Sequence, residues 1–127
     1  MYLPRAICLL SAAVCILVGI WSLLAPTGVA AMIGYGFTGA HGYVEFLSVY
    51  GGFYLGLGLF LAVAARWTRW LEAALAMSTM AAGATALARL AGTIALTPEA
   101  GISVNLLLSE IVWAGLSGLG WRLAAKG

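Results

Sequence analysis

Four long apolar runs, separated by short polar or turn-forming segments, dominate the chain: Ala6 to Ala25, Tyr43 to Ala65, Leu71 to Leu96, and Ile102 to Trp121. Each is about the 20 residues a helix needs to cross a hydrocarbon core of roughly 30 Å. The punctuation agrees. Pro26 stops the first run, Arg66-Trp67-Thr68-Arg69 divides the second from the third, and Thr97-Pro98-Glu99-Ala100-Gly101 divides the third from the fourth. Because the runs are continuous rather than alternating, a membrane β-barrel is excluded. The pattern predicts an all-α, integral membrane four-helix bundle forming a single domain over residues 1–127.

Pro26 to Gly42 is the one long connection. Gly28-Val29-Ala30-Ala31-Met32-Ile33 can form a short helix, after which Gly34, Gly36, Gly39 and Gly42 loosen the chain. A short interfacial helix between the first two spans is expected. The opening stretch, with Arg5 ahead of an apolar run, has some features of a secretory signal, but that run is about 20 residues where a signal has roughly 7 to 15. It reads as a retained first helix.

Composition makes the membrane reading the default. Of the 127 residues, 64% are hydrophobic and 8% charged, where a soluble domain carries roughly a quarter charged. Mean hydropathy is +1.07. The net charge of +2 comes from scattered basic residues without a basic stripe, so nucleic-acid binding is set aside. Cys8 and Cys15 would lie about 10 Å apart on one helical face, too far to bridge, and read as small lipid- or helix-facing apolar residues.

Orientation follows from the basic residues. Arg5, Arg66, Arg69, Arg122 and Lys126 share one side, and the two opposite loops hold no Lys or Arg. The positive-inside bias therefore puts both termini and the middle loop in the cytoplasm. Trp67, Trp70 and Trp121 stand beside those charges, where an aromatic belt belongs. Close helix packing is expected at Gly52-Phe53-Tyr54-Leu55-Gly56 and along Ala74, Ser78, Ala82 and Ala86, since small residues at a spacing of four let backbones approach.

Glu45, Arg89 and Glu110 are the ionisable residues that bear on function. A charge near the bilayer centre costs roughly 2.5 to 3.5 kcal/mol, so it turns inward and finds a partner. Arg89 and Glu110 are almost equidistant from Glu99, the centre of the last short loop, on antiparallel neighbours. At about 1.5 Å per residue both lie on the order of 12 Å below the outer helix ends, and an Arg89–Glu110 ion pair is expected. Glu45 is shallower, on a face with His41, Ser48, Gly52 and Gly56; His41 is its nearer partner. Tyr50 and Tyr54 lie deeper and can donate into a polar cavity. The faces allow a Glu45, Arg89, Glu110 cluster with the tyrosines, read either as a staple that fixes helix register or as a small-ligand pocket open to the outer face.

Catalytic and cofactor signatures are lacking. One His near one Glu is not a metal site, so His41 reads as a loop residue and no metal or cofactor is assigned. No Gly-x-Ser-x-Gly elbow occurs, neither cysteine has a His at its depth, and no phosphate-binding glycine loop is present.

The chain resembles the small bacterial four-helix membrane proteins catalogued as a domain of unknown function. The resemblance rests on Leu23-Leu24-Ala25-Pro26, on Glu45 followed by Val49-Tyr50-Gly51-Gly52 and Leu55-Gly56-Leu57-Gly58-Leu59-Phe60, on Ala88-Arg89-Leu90, and on Glu110. It covers nearly the whole chain. Members often carry a basic residue shortly after the acid, where this chain has Leu47. The resemblance implies the bacterial inner membrane and marks Glu45, Tyr50, Arg89 and Glu110 for testing, but lends no activity. Two functions are left open: a non-enzymatic accessory subunit packing in a larger membrane complex or on itself, and a binding or transport protein for a lipid, quinone-like or other amphiphilic molecule.

Overall fold

The structure, a computed structural model, describes residues 1–98 and 101–127. It is all-helical, with four helices long and apolar enough to cross a membrane. Helix α1 runs over Tyr2–Leu24. The short α2, Pro26–Met32, follows directly, with Pro26 in its first turn, where a missing N–H costs nothing. Gly34, at φ +76°, then reverses the chain so that the Tyr35 N–H reaches back to the Ala30 carbonyl at 2.8 Å.

The second span is one 27-residue rod, Ala40–Arg66, in three parts. These are α3 (Ala40–Phe46), a π-helical stretch (Leu47–Phe53) and α4 (Tyr54–Arg66). Trp67 is extended and turns the chain into α5, Thr68–Leu96, which ends on Thr97 in the left-handed region. The last helix, α6, is Ile102–Ala124. Each of the four long helices contains one of the apolar runs, except that α1 stops at Leu24, one residue short of Ala25. The loop centre at Glu99 and Ala100 lies outside the described residues.

Helix α1 lies along α4 and the π-helical stretch, α5 lies along α6, and the two pairs meet through α1–α6 and α4–α5 contacts. This up-and-down course gathers Arg5, Arg66, Arg69, Arg122 and Lys126 at one end, where Gly127 sits beside Met1. The core is built from residues that let helices approach. Cys8 and Cys15 are completely buried and free, facing helices rather than lipid, and the Cys8 thiol donates to the Leu61 carbonyl at 3.3 Å. Leu61, Leu71 and Leu75 fill the space around them. A smaller cluster of Val29, Ala30 and Phe46 seats α2 on α3 at the opposite end.

The small ridge of α5 behaves as expected: Ala74, Ser78, Ala82 and Ala86 are all buried. The Gly52–Gly56 seam does not. Both glycines are exposed, and a methyl group on Gly56 would meet nothing within 4 Å. The close approach to α1 is made instead by Gly19, Gly51 and Gly58. A methyl on Gly58 would come to 2.8 Å from the Ile16 nitrogen and 2.9 Å from the Ala12 carbonyl oxygen, and one on Gly19 to 2.6 Å from the Leu55 nitrogen. The chain carries two glycine seams on one helix, and helix rotation decides which is buried. A π-helical stretch shifts that rotation for everything before it, because its turns are wider than those of an α-helix.

Outside this core the surface is apolar. Leu9, Leu17, Leu87, Ile94, Ile111 and Val112 are among many large side chains left uncovered. Hydrocarbon solvates such a surface at no cost, which water would not.

Candidate functional site

Helices α5 and α6 run antiparallel with Arg89 and Glu110 at one level, and the two side chains meet. Arg89 Nε donates to both carboxylate oxygens at 2.9 Å, and Nη2 donates to Oε1 at 2.7 Å. The carboxylate is therefore gripped along the edge of the planar guanidinium, the strongest geometry such a pair has. The Glu110 side chain is 11% exposed and that of Arg89 28% exposed. A guanidinium has five N–H donors. Glu110 engages Nε and one hydrogen of Nη2, so both hydrogens of Nη1 and the other of Nη2 have no acceptor among the described residues.

The second span carries an aromatic column. Phe46 stacks on Tyr50 with ring centroids 4.6 Å apart, and Tyr50 stacks on Tyr54 at 5.9 Å. The spacing of four places all three rings on one side of the rod. Tyr35 and Phe37, from the segment after α2, close over the upper end against Phe46 at 5.9 and 5.4 Å. Tyr50 and Tyr54 are each partly buried on this rod.

Glu45 and His41 stand apart. Both are exposed on α3, neither makes a hydrogen bond or ion pair among the described residues, and the adjoining Ser48 hydroxyl turns back to the Val44 carbonyl at 2.9 Å. The buried face of α3 is that of Phe46, one residue and about 100° away from Glu45. Depth along the helix was readable from the sequence, but this rotation was not. The structure thus joins Arg89 to Glu110 and stacks Tyr50 on Tyr54, and Glu45 is bonded to none of them. Among the described residues no group of three His, Cys, Asp or Glu side chains is placed to hold a metal.

A further polar link joins α1 to α6, where Trp113 Nε1 donates to Ser11 Oγ at 3.1 Å. It borders a groove of about 270 Å³ between Leu10, Ser11, Val14, Ser109, Val112 and Trp113. Nothing in the spacing of the apolar runs pointed to a partner for Trp113. The available signal was Ser11, one of two hydroxyls, with Ser22, in the first apolar run.

No curated protein and no solved structure matches the chain. Residues 3–120 match the family described as a domain of unknown function, DUF4345, and with nearly the whole chain covered the protein belongs to that family.

Proposed function

We propose that this membrane protein binds an amphiphilic small molecule whose head group is held by Arg89 beside the Tyr50–Tyr54 column and whose apolar part lies in the lipid. The observation that carries this reading is the Arg89 guanidinium, locked in place by Glu110 yet partly open and with donors left over. A staple needs the pair and nothing more. A donor that faces hydrocarbon without an acceptor costs free energy, and a ligand acceptor removes that cost. Because Glu110 already cancels the arginine charge, uncharged acceptors such as carbonyl or ester oxygens suit the site better than a second anion. Stacked rings beside it give a flat surface for an apolar or planar head group. In this reading the basic end of the bundle faces the cytoplasm, the membrane is the bacterial inner membrane, and the ligand enters from the outer leaflet.

Mass spectrometry of molecules that co-purify in mild detergent tests the idea. Wild type is expected to retain a defined amphiphile that the folded double variant Arg89→Met/Glu110→Gln does not. Identical profiles from the two proteins contradict binding at this site.

A second reading, an accessory subunit of a membrane complex or a homo-oligomer, draws on the outward-facing Gly52 and Gly56 with the exposed Phe53 between them. Small residues flanking an uncovered ring suit a helix–helix contact. This reading expects a stable assembly in mild detergent, and a lone monomer counts against it.

A further inference from the structure

At the basic end, far from Arg89, three helices meet around Thr68. Arg5 of α1 donates from Nη2 to Thr68 Oγ1 at 2.9 Å, tying the first turn of α1 to the first turn of α5. Arg66, Trp67, Thr68 and Arg69 line a hollow of about 460 Å³. Arg69 lies over the Trp70 ring, 5.4 Å from its centroid, and Trp67 meets Trp70 edge to face at 5.0 Å.

Two arginines thus line the hollow and a third, Arg5, holds the Thr68 hydroxyl at its wall, and none of the three has a carboxylate partner among the described residues. Glu72, one turn further along α5, is the acid nearest in sequence, and it is exposed and bonded to none of them. The Nε of Arg5 is covered and meets no acceptor. The start of α5 has no side-chain cap, and its dipole adds positive potential at the same place. Every one of these features calls for an anion.

We propose that Arg5, Arg66, Arg69 and Thr68 form a binding site for the phosphate of an anionic phospholipid in the leaflet that surrounds the basic end. Guanidinium groups match phosphate oxygens in pairs. The tryptophans set the hollow at head-group depth. A lipid suits the site better than a soluble phosphate, because the ring wall continues down the bundle: Phe60 stacks on Trp70 at 6.2 Å and is itself partly open to the surroundings, giving an acyl chain a surface to follow.

Native mass spectrometry of delipidated protein, titrated with phosphatidylglycerol or phosphatidylcholine, tests this with two variants that remove equal charge from the same end. Arg66→Gln/Arg69→Gln is expected to weaken phosphatidylglycerol binding roughly thirty-fold, since each arginine near the head groups contributes a factor of about five. Arg122→Gln/Lys126→Gln is expected to bind as wild type does. Equal losses in both variants would show a diffuse charge effect and overturn the site, as would no loss in the first. If the double variant does not fold, Arg69→Gln against Arg122→Gln carries the same comparison. Inorganic phosphate that binds as tightly as the lipid overturns the lipid assignment, whereas phosphate that displaces it only at far higher concentration supports it.

Discussion

An arginine inside hydrocarbon is tolerable only with a fixed counter-charge, and Glu110 supplies it with three hydrogen bonds. The energetic consequence is asymmetric. Glu110→Gln alone leaves Arg89 charged and uncompensated and is expected to cost about 2–3 kcal/mol. Arg89→Met with Glu110→Leu removes both charges and is expected to cost less than about 1 kcal/mol, because apolar replacements of a buried pair are often close to neutral. Reversible unfolding of the single and double variants in mixed micelles checks this, and strictly additive losses would contradict the pairing energy. This pair was legible in the sequence because both residues lie at countable distances from one short turn. Glu45 was not, because its depth could be counted but the rotation of its helix could not.

At the scale of the element, the crossing of α1 and α4 rests on backbone approach at Gly19 and Gly58. Gly58→Ala pushes a methyl into the backbone of Ala12 and Ile16 and is expected to lower stability by about 1–3 kcal/mol, the ordinary cost of overpacking. Gly56→Ala, two residues away with open space around it, is expected to stay within about 0.5 kcal/mol of wild type. Thermal unfolding of the two variants side by side makes the comparison, and the reverse order would mean that α4 is rotated from the position described. The sequence favoured the wrong seam because Gly52 and Gly56 have the familiar spacing of four while Gly51 and Gly58 are seven apart. The π-helical stretch that sets the rotation around Tyr50 leaves no period in the apolar run to read. The ridge on α5 was legible because Ala74, Ser78, Ala82 and Ala86 are the small side of a regular helix.

For the whole molecule, the claim beneath everything else is that lipid is the solvent for the outer surface of four spans. Four crossings put both termini on one side and the segment between α2 and α3 on the other. The number of spans followed directly from the lengths of the apolar runs, and the short helix after Pro26 from a helix-forming stretch set apart by proline and glycines. Which helices neighbour each other followed for α5 and α6, through Arg89 and Glu110, but not for α1, whose run from Ala6 to Ala25 is apolar on all sides and offers no charge to orient it; the Trp113–Ser11 bond is a contact of that kind. The most direct measurement is accessibility in intact cells and inverted vesicles of small tags placed at the N-terminus, at the C-terminus, and between Phe37 and Gly39. Both terminal tags are expected to react only from the cytoplasmic side and the Phe37–Gly39 tag only from outside. Terminal tags that react from opposite sides, or an internal tag that reacts from the same side as the termini, would contradict it.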